Sequence, residues 1–352
     1  MVRKNAILVT GASGFLGSRL VKQLIARGET VKGFVRAGSN LNLLHGLPEG
    51  QFELAYGDVL VGDTVFRALA SCNRLIHVAG NFSMWSQNPE HIMATAVHGT
   101  KNVLTAAKQR DIERIVITSS VGVLGVTDGP TTLDETHAFN VEDPETYYLS
   151  KLRADEIVQE ASALGSPIVR VLPSALFGPG DWRPTPNGRL LLDYLRRSPD
   201  FRIPVFDGGF NLVDVDDVAM GHVQALERGI PGERYILCGD NVTYEELFST
   251  LSDLTGLAAP GGRVGPTSLT LLAVFLELWA RWTGEPPPIT RKLIRHRVGK
   301  YSWVKCDKAE VDLGYKHRPH RETLDRAIRW YLKNGYLTDQ QSRRIWLELR
   351  TA

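Results

Sequence analysis

Cysteine is scarce in this chain, with three among 352 residues, and neither charge dominates: 41 Lys and Arg face 39 Asp and Glu, a formal net of +2. Cys72, Cys238 and Cys306 are odd in number and far apart in sequence. That spacing excludes a local metal clip and predicts reduced thiols in a cytoplasmic protein. No block of Lys or Arg occurs, so nucleic acid is excluded as the main partner. The longest apolar run, residues 269–279, carries Glu277 and is too short to span a bilayer. Nor does Met1-Val2-Arg3-Lys4, leading into a five-residue apolar run and then glycines, read as a secretory leader. There is no internal repeat and no low-complexity tract. What remains is an ordinary globular composition, 43% apolar and 23% charged, long enough for a large core and about two domains.

The first two-thirds alternate short β-branched runs with helical patterns, the signature of βαβ units and a parallel sheet. Strands are expected at residues 6–10, 31–36, 52–56, 74–78, 114–118 and 168–172, with helices near 16–27, 64–70, 92–109 and 146–163. After Pro173 the rhythm breaks into shorter elements separated by Gly and Pro. Thr243-Tyr244-Glu245-Glu246 reads as a capping box opening a helix that ends near Gly256. The expected fold class is α/β: a Rossmann-type doubly wound parallel sheet with a smaller C-terminal α/β substrate lobe. The core would span residues 1–175. The lobe would take most of 176–337, with some segments returning to the core, and a helical extension would follow over 338–352.

Ala6-Ile7-Leu8-Val9 and then Thr10-Gly11-Ala12-Ser13-Gly14-Phe15-Leu16-Gly17 place three glycines between a buried strand and an amphipathic helix. Such a turn lets backbone N–H groups approach a pyrophosphate at a helix amino end. An NAD site usually has an acid about 20 residues on, for the ribose 2′-hydroxyl. Here the second strand ends in Phe34-Val35-Arg36, with no acid between Glu29 and Glu49. A guanidinium suits a 2′-phosphate, so NADP(H) is favoured over NAD(H).

Tyr147 and Lys151 stand four apart at the start of a helical pattern and share one face. Tyr148 does not qualify, because Leu152 follows it at that spacing. A nearby ammonium would draw the phenol toward a working acid or base. The fifth strand ends in Thr118-Ser119-Ser120, at the carboxyl edge where such sheets bind ligands. Hydroxyl, phenol and ammonium in this order after a dinucleotide turn point to hydride-transfer chemistry.

With TGASGFLG (10–17), GDV (57–59), HVAG (77–80), TSS (118–120), YYLSK (147–151) and LFGPGD (176–181), the chain resembles the extended short-chain dehydrogenase/reductases. The likeness runs from Asn5 to about Tyr336 and is greatest to the dihydroflavonol reductase and 3β-hydroxysteroid dehydrogenase branch. GPGDWRPTPNGR (178–189), NLVDVDDVAMGH (211–222) and DLGYKHRP (312–319) resemble the bacterial hopanoid-associated sugar epimerase group most closely. The resemblance implies that Gly11, Ser13, Gly14, Phe15, Leu16 and Gly17 hold the pyrophosphate, and that Asp58 and Val59 flank the adenine. Ala79 and Gly80 would line the cofactor groove, and Pro173 and Ser174 would meet the carboxamide. Tyr147 would be the acid/base, Lys151 would bind the nicotinamide ribose and tune Tyr147, and Ser120 would hold the substrate oxygen. No metal is implied. Where the family commonly has Asn-Val-x-Gly-Thr, this chain has Ala96-Val97-His98-Gly99-Thr100, and His98 reads as a surface or packing residue.

The expected activity is interconversion of a secondary alcohol and a ketone on a bulky, partly apolar substrate such as a sterol, terpenoid or flavonoid. A nucleotide-sugar epimerase is the alternative, and a non-catalytic redox sensor a minor one. Phe82, Met84 and Trp85 (after the fourth strand) and Asp181, Trp182 and Arg183 would wall the substrate. The apolar helix from Ser268 to Trp282 belongs in a core or interface, or on a membrane surface as a peripheral contact. Pairing of two chains through the helices carrying His98 and Tyr147 would fit the resemblance.

Overall fold

The computed structural model describes residues 5–80, 89–197, 202–203, 205–283 and 290–351. Eleven strands form in chain order: β1 (Ala6–Thr10), β2 (Thr30–Val35), β3 (Phe52–Tyr56), β4 (Cys72–His77), β5 (Arg114–Thr118), β6 (Ile168–Pro173), β7 (Ala175–Phe177), β8 (Gly209–Asp214), β9 (Arg234–Leu237), β10 (Asp240–Thr243) and β11 (Tyr301–Ser302). The helices are α1 (Phe15–Ala26), α2 (Gly62–Ala68), α3 (Pro89–Gln109), α4 (Thr146–Ala163), α5 (Pro186–Arg196), α6 (Val215–Arg228), α7 (Tyr244–Thr255), α8 (Pro266–Thr283), α9 (Arg291–Arg297), α10 (Asp307–Leu313), α11 (His320–Lys333) and α12 (Asp339–Thr351).

Seven strands make one sheet in the order β3-β2-β1-β4-β5-β6-β9, every adjacent pair parallel. The reversal between β1 and β4 is the crevice where doubly wound sheets receive ligands. β1 is buried along its whole length, as a central parallel strand with a helix on each face must be. α1 and α6 pack together on one face, while α3 and α4 pack on the other. Thus α6 and β9, from the second half of the chain, complete the core. A second sheet holds β10, β8 and β11, with β7 paired to β8. It is backed by α5, α7 and α11 around Tyr194, Phe248 and Tyr331. The capping box at α7 forms, Thr243 Oγ1 accepting from Glu246 N at 3.1 Å and Glu246 Oε2 accepting from Thr243 N at 2.7 Å.

One expectation needs correction. Cys238, just after β9, and Cys306, just before α10, form a disulfide with Cα atoms 5.8 Å apart. The fold closes a separation of 68 residues that the sequence alone leaves open; Cys72 stays a buried thiol. α8 is divided, as a helix at an interface or surface would be: Leu269 and Ala273 are buried with Ile294 of α9. Leu271, Phe275, Leu278 and Trp282 stand 58–81% exposed. Among the described residues, no helix is long and apolar enough to cross a membrane.

Candidate active site

The carboxyl ends of β1, β4 and β5 set out the site. The turn after β1 carries Gly11 at φ 69°, and a Cβ there would stand 2.9 Å from Ala79 Cα. Gly17 is required for a different reason: a Cβ on it would overlap Gly11 O, so α1 could not reach β1. Gly14 is the N-cap of α1, without a side-chain cap, and the first turn has no acid. Its amino-end N–H groups therefore point to the crevice with only the helix dipole's positive charge. Arg36 follows β2, exposed and outside any ion pair among the described residues.

A buried hydrogen-bond system fixes the floor. The Thr10 hydroxyl accepts from Val78 N and Ala79 N, both at 3.1 Å, and so donates to His77 Nδ1 at 2.8 Å. His77 is buried, and burial together with the Lys151 charge holds its pKa at about 3. It is therefore neutral, with its proton on Nε2.

Lys151 comes from α4, its Nζ donating to Thr118 O at 3.4 Å and standing 3.6 Å from where a Gly80 Cβ would lie. Burial lowers its pKa to about 8, against a smaller opposing pull from Asp155. Behind Thr118, its hydroxyl meets His222 Nε2 at 2.9 Å, and His222 Nδ1 donates to Val218 O at 2.7 Å. His222 is held neutral at a pKa of about 4 by burial. The histidine thus accepts from Thr118 and steadies the carbonyl that holds Lys151. Nothing in the spacing of Thr118 and His222 signalled this link. The only local cue was the lone apolar-flanked histidine of α6.

Ser120 and Tyr147 meet through a side-chain hydrogen bond. Ser120 is also the cap of the short turn Val121–Val123, its Oγ accepting from Gly122 N at 3.1 Å. The Tyr147 ring is buried, and burial raises its pKa, more than the Ser120 bond lowers it. Sequence reasoning expected Lys151 to lower it. Desolvation dominates instead, and Tyr147 is a neutral phenol, a proton donor.

The other expected residues fall in varied settings. Asp58 accepts from Leu60 N at 2.9 Å, and Val59 packs beside Gly99. Ser13, on the glycine turn, offers its carbonyl to Trp182 Nε1 at 3.3 Å, while Phe15 and Leu16 begin α1. Pro173 ends β6. The Ser174 hydroxyl donates to Asn211 Oδ1 at 2.6 Å and its N–H to Leu237 O at 3.2 Å, so both its donors are spent inside the protein. Asp181 accepts from Thr185 and Tyr331 and sets the start of α5. Asp181 and Trp182 therefore pin the lobe to the glycine turn. Phe82, Met84 and Trp85 lie outside the described residues.

The model of the NAD dependent epimerase/dehydratase family matches residues 7–238. The chain belongs to that family. A putative dihydroflavonol 4-reductase from Synechocystis is 34% identical over 343 residues, 96% of this chain and 97% of that protein. Sterol demethylase protein B from Methylococcus capsulatus is 27% identical, covering 94% of this chain and 99% of its own length. The crystal structure of gox2253 superposes with a TM-score of 0.81 at 36% identity, covering 95% of this chain and all of that one. These relatives agree with the dihydroflavonol reductase and 3β-hydroxysteroid dehydrogenase branch. The protein is an NAD(P)-dependent enzyme of the extended short-chain dehydrogenase/reductase type.

The residues present fit such a cofactor. The amino end of α1 is uncapped, the Ser119 hydroxyl is buried without a hydrogen-bond partner, and the Gly80 backbone leaves room beside Lys151. Gly11, Gly14 and Gly17 suit the pyrophosphate, and Lys151 with Ser119 suits the nicotinamide end.

Proposed function

We propose that the enzyme interconverts a secondary alcohol and a ketone on a bulky, partly apolar substrate. The observation that carries this reading is the Ser120–Tyr147 hydrogen bond, at the same sheet edge where Lys151 Nζ lies against Gly80. A nicotinamide nucleotide bound in that groove supplies or accepts the hydride. Ser120 holds the substrate oxygen. Tyr147, kept neutral by burial, gives its proton to the developing alkoxide during reduction and recovers it during oxidation. Lys151 binds the ribose and places positive charge near the phenol.

The names of the relatives, a dihydroflavonol reductase and a sterol demethylase component, favour a fused-ring alcohol. A 3-hydroxysterol carrying a 4-carboxylate is one such substrate, and its oxidation gives a β-keto acid that loses carbon dioxide. Exposed Arg36 supports NADP(H) over NAD(H). The apolar face of α8 supports peripheral contact with a membrane, and we place the chain at a cytoplasmic surface. There the Cys238–Cys306 bond would be an exception to the reduced thiols of that compartment. Pairing of two chains through α3 and α4 completes the proposal.

The test is turnover of sterols, flavonoid-like ketones and nucleotide sugars with NADPH or NADP⁺, with Tyr147→Phe as control. Net change in reduced nicotinamide is expected with the first two classes, and a loss on the order of a hundred- to ten-thousand-fold in the variant. Turnover of a nucleotide sugar with no net change would select epimerisation. Undiminished turnover in Tyr147→Phe would end the mechanism.

A further inference from the structure

Beside the proposed acid/base stands a cation that the chemistry above does not use. Tyr148 packs next to Tyr147, ring centroids 5.6 Å apart, and lies against Gly122, where a Cβ would come within 2.8 Å of its ring. Its hydroxyl side meets Arg297, the last residue of α9. Arg297 Nη1 also reaches Tyr244 OH at 3.4 Å. Two phenols thus face the guanidinium, and together with its other neighbours they hold it protonated.

A charge this enclosed normally has an anion against it. Here no carboxylate among the described residues lies within ion-pair distance of Arg297. The nearest, Glu145, is engaged elsewhere: its Oε2 pairs with His296 Nδ1 at 3.0 Å. Its other oxygen is buried without a hydrogen-bond partner and so adds negative potential without closing a pair. Arg297 is half-buried as a residue, not sealed in the core.

We propose that Arg297 is a substrate-recognition residue that receives a carboxylate carried by the alcohol or ketone near the reacting carbon. This rests on the reading of Ser120 and Tyr147 as the reacting site and narrows its substrate class from apolar alcohols to amphipathic hydroxy or keto acids. The fork of a guanidinium matches a carboxylate in two parallel hydrogen bonds. One guanidinium, with the Glu145 charge close by, favours a monoanion over the more highly charged diphosphate of a nucleotide sugar. Tyr148 and Tyr244 shield the pair from water on either side, which strengthens it.

The experiment titrates the NADP⁺-loaded enzyme calorimetrically with 3-hydroxydodecanoate, with its methyl ester, and with uridine diphosphate. The parent is expected to prefer the acid over the ester by on the order of tenfold or more, the worth of a charge-assisted hydrogen bond. Arg297→Met should erase that preference while leaving NADP⁺ affinity unchanged, and Arg297→Lys should keep part of it. An equal preference in Arg297→Met, or no preference in the parent, overturns the proposal. So does uridine diphosphate binding that depends on Arg297 while the acid does not. Because the readout is binding, it stands apart from turnover: an inactive Tyr147→Phe enzyme should keep the same preference. Should Arg297→Met fail to bind NADP⁺, Arg297→Lys decides alone. Unchanged preference with the ammonium supports a charge receptor, and complete loss of acid binding with NADP⁺ affinity intact shows the fork itself to be required. Ester and acid binding equally to that variant and to the parent refutes both.

Discussion

Lys151 should weaken the fold it serves. Burial brings its pKa down to about 8 from an ordinary 10.5, which corresponds to roughly 3 kcal/mol spent in keeping the ammonium charged inside the protein. Its hydrogen bond to Thr118 O, at 3.4 Å, returns about 1 kcal/mol at most. Lys151→Met keeps the length of the stem, removes the charge, and should raise the stability of the cofactor-free protein by about 2 kcal/mol at neutral pH while abolishing turnover. The sign of the pH dependence follows from the lowered pKa. Between about pH 8 and 10.5 the folded lysine has lost a proton that the unfolded chain retains, so the parent gains stability as pH rises through that window. The advantage of Lys151→Met is therefore largest at about pH 7 and shrinks by about pH 9.5. Urea unfolding at both values, followed by intrinsic tryptophan fluorescence, measures it. A variant no more stable than the parent at neutral pH refutes the reasoning, as does a gain that does not diminish with pH.

Three further outcomes follow from single features. Arg36→Ala should weaken NADPH binding on the order of ten- to a hundredfold, the worth of charge-assisted bonds to a phosphate, and leave NADH binding unchanged; equal losses for both would remove the NADP preference. Changing Phe275, Trp279 and Trp282 together to Ser, which removes three exposed rings from α8, should abolish co-sedimentation with lipid vesicles and spare cofactor binding. Retained sedimentation would dismiss the membrane contact. Protein purified without reductant and unfolded in guanidinium should give one thiol per chain by Ellman titration, that of Cys72, whereas three would mean that Cys238 and Cys306 remain apart.

What could be read without coordinates was what repeats locally. The alternation of strand and amphipathic helix gave the first six strands within about two residues, because the central ones, such as β1 and β6, are buried along their whole length. The glycine turn was legible for the same reason: its three glycines follow the strand and open the helix within eight residues. Tyr147 and Lys151 were legible as a pair because helical geometry puts positions four apart on one face. Beyond such spans the pattern is silent. β9 is a run of four residues, and nothing in Arg234-Tyr235-Ile236-Leu237 states that it pairs with β6 and not with a strand of its own lobe. The disulfide, the Thr118–His222 bond and the Arg297–Tyr148 contact join residues from 68 to about 150 positions apart, and only packing decides them.

Electrostatics was misjudged for the same reason. Spacing places an ammonium on the same helix face as a phenol, and from that alone one expects the phenol to ionise more readily. The fold buries both, and burial acts oppositely on them: it disfavours phenolate and ammonium alike, raising one pKa and lowering the other. The resulting neutral Tyr147 and easily deprotonated Lys151 suit proton donation to an alkoxide better than a standing phenolate would. The neutral His77 and His222 carry this further, since each occupies a buried polar position near Lys151 without adding positive charge. Charge is thereby concentrated on Lys151 within the groove and on Arg297 beside it, two cations for a substrate and cofactor that bring their own negative charge. Removing either cation should strengthen the empty fold or leave it intact while weakening what it binds, the pattern expected where stability has been given up for function.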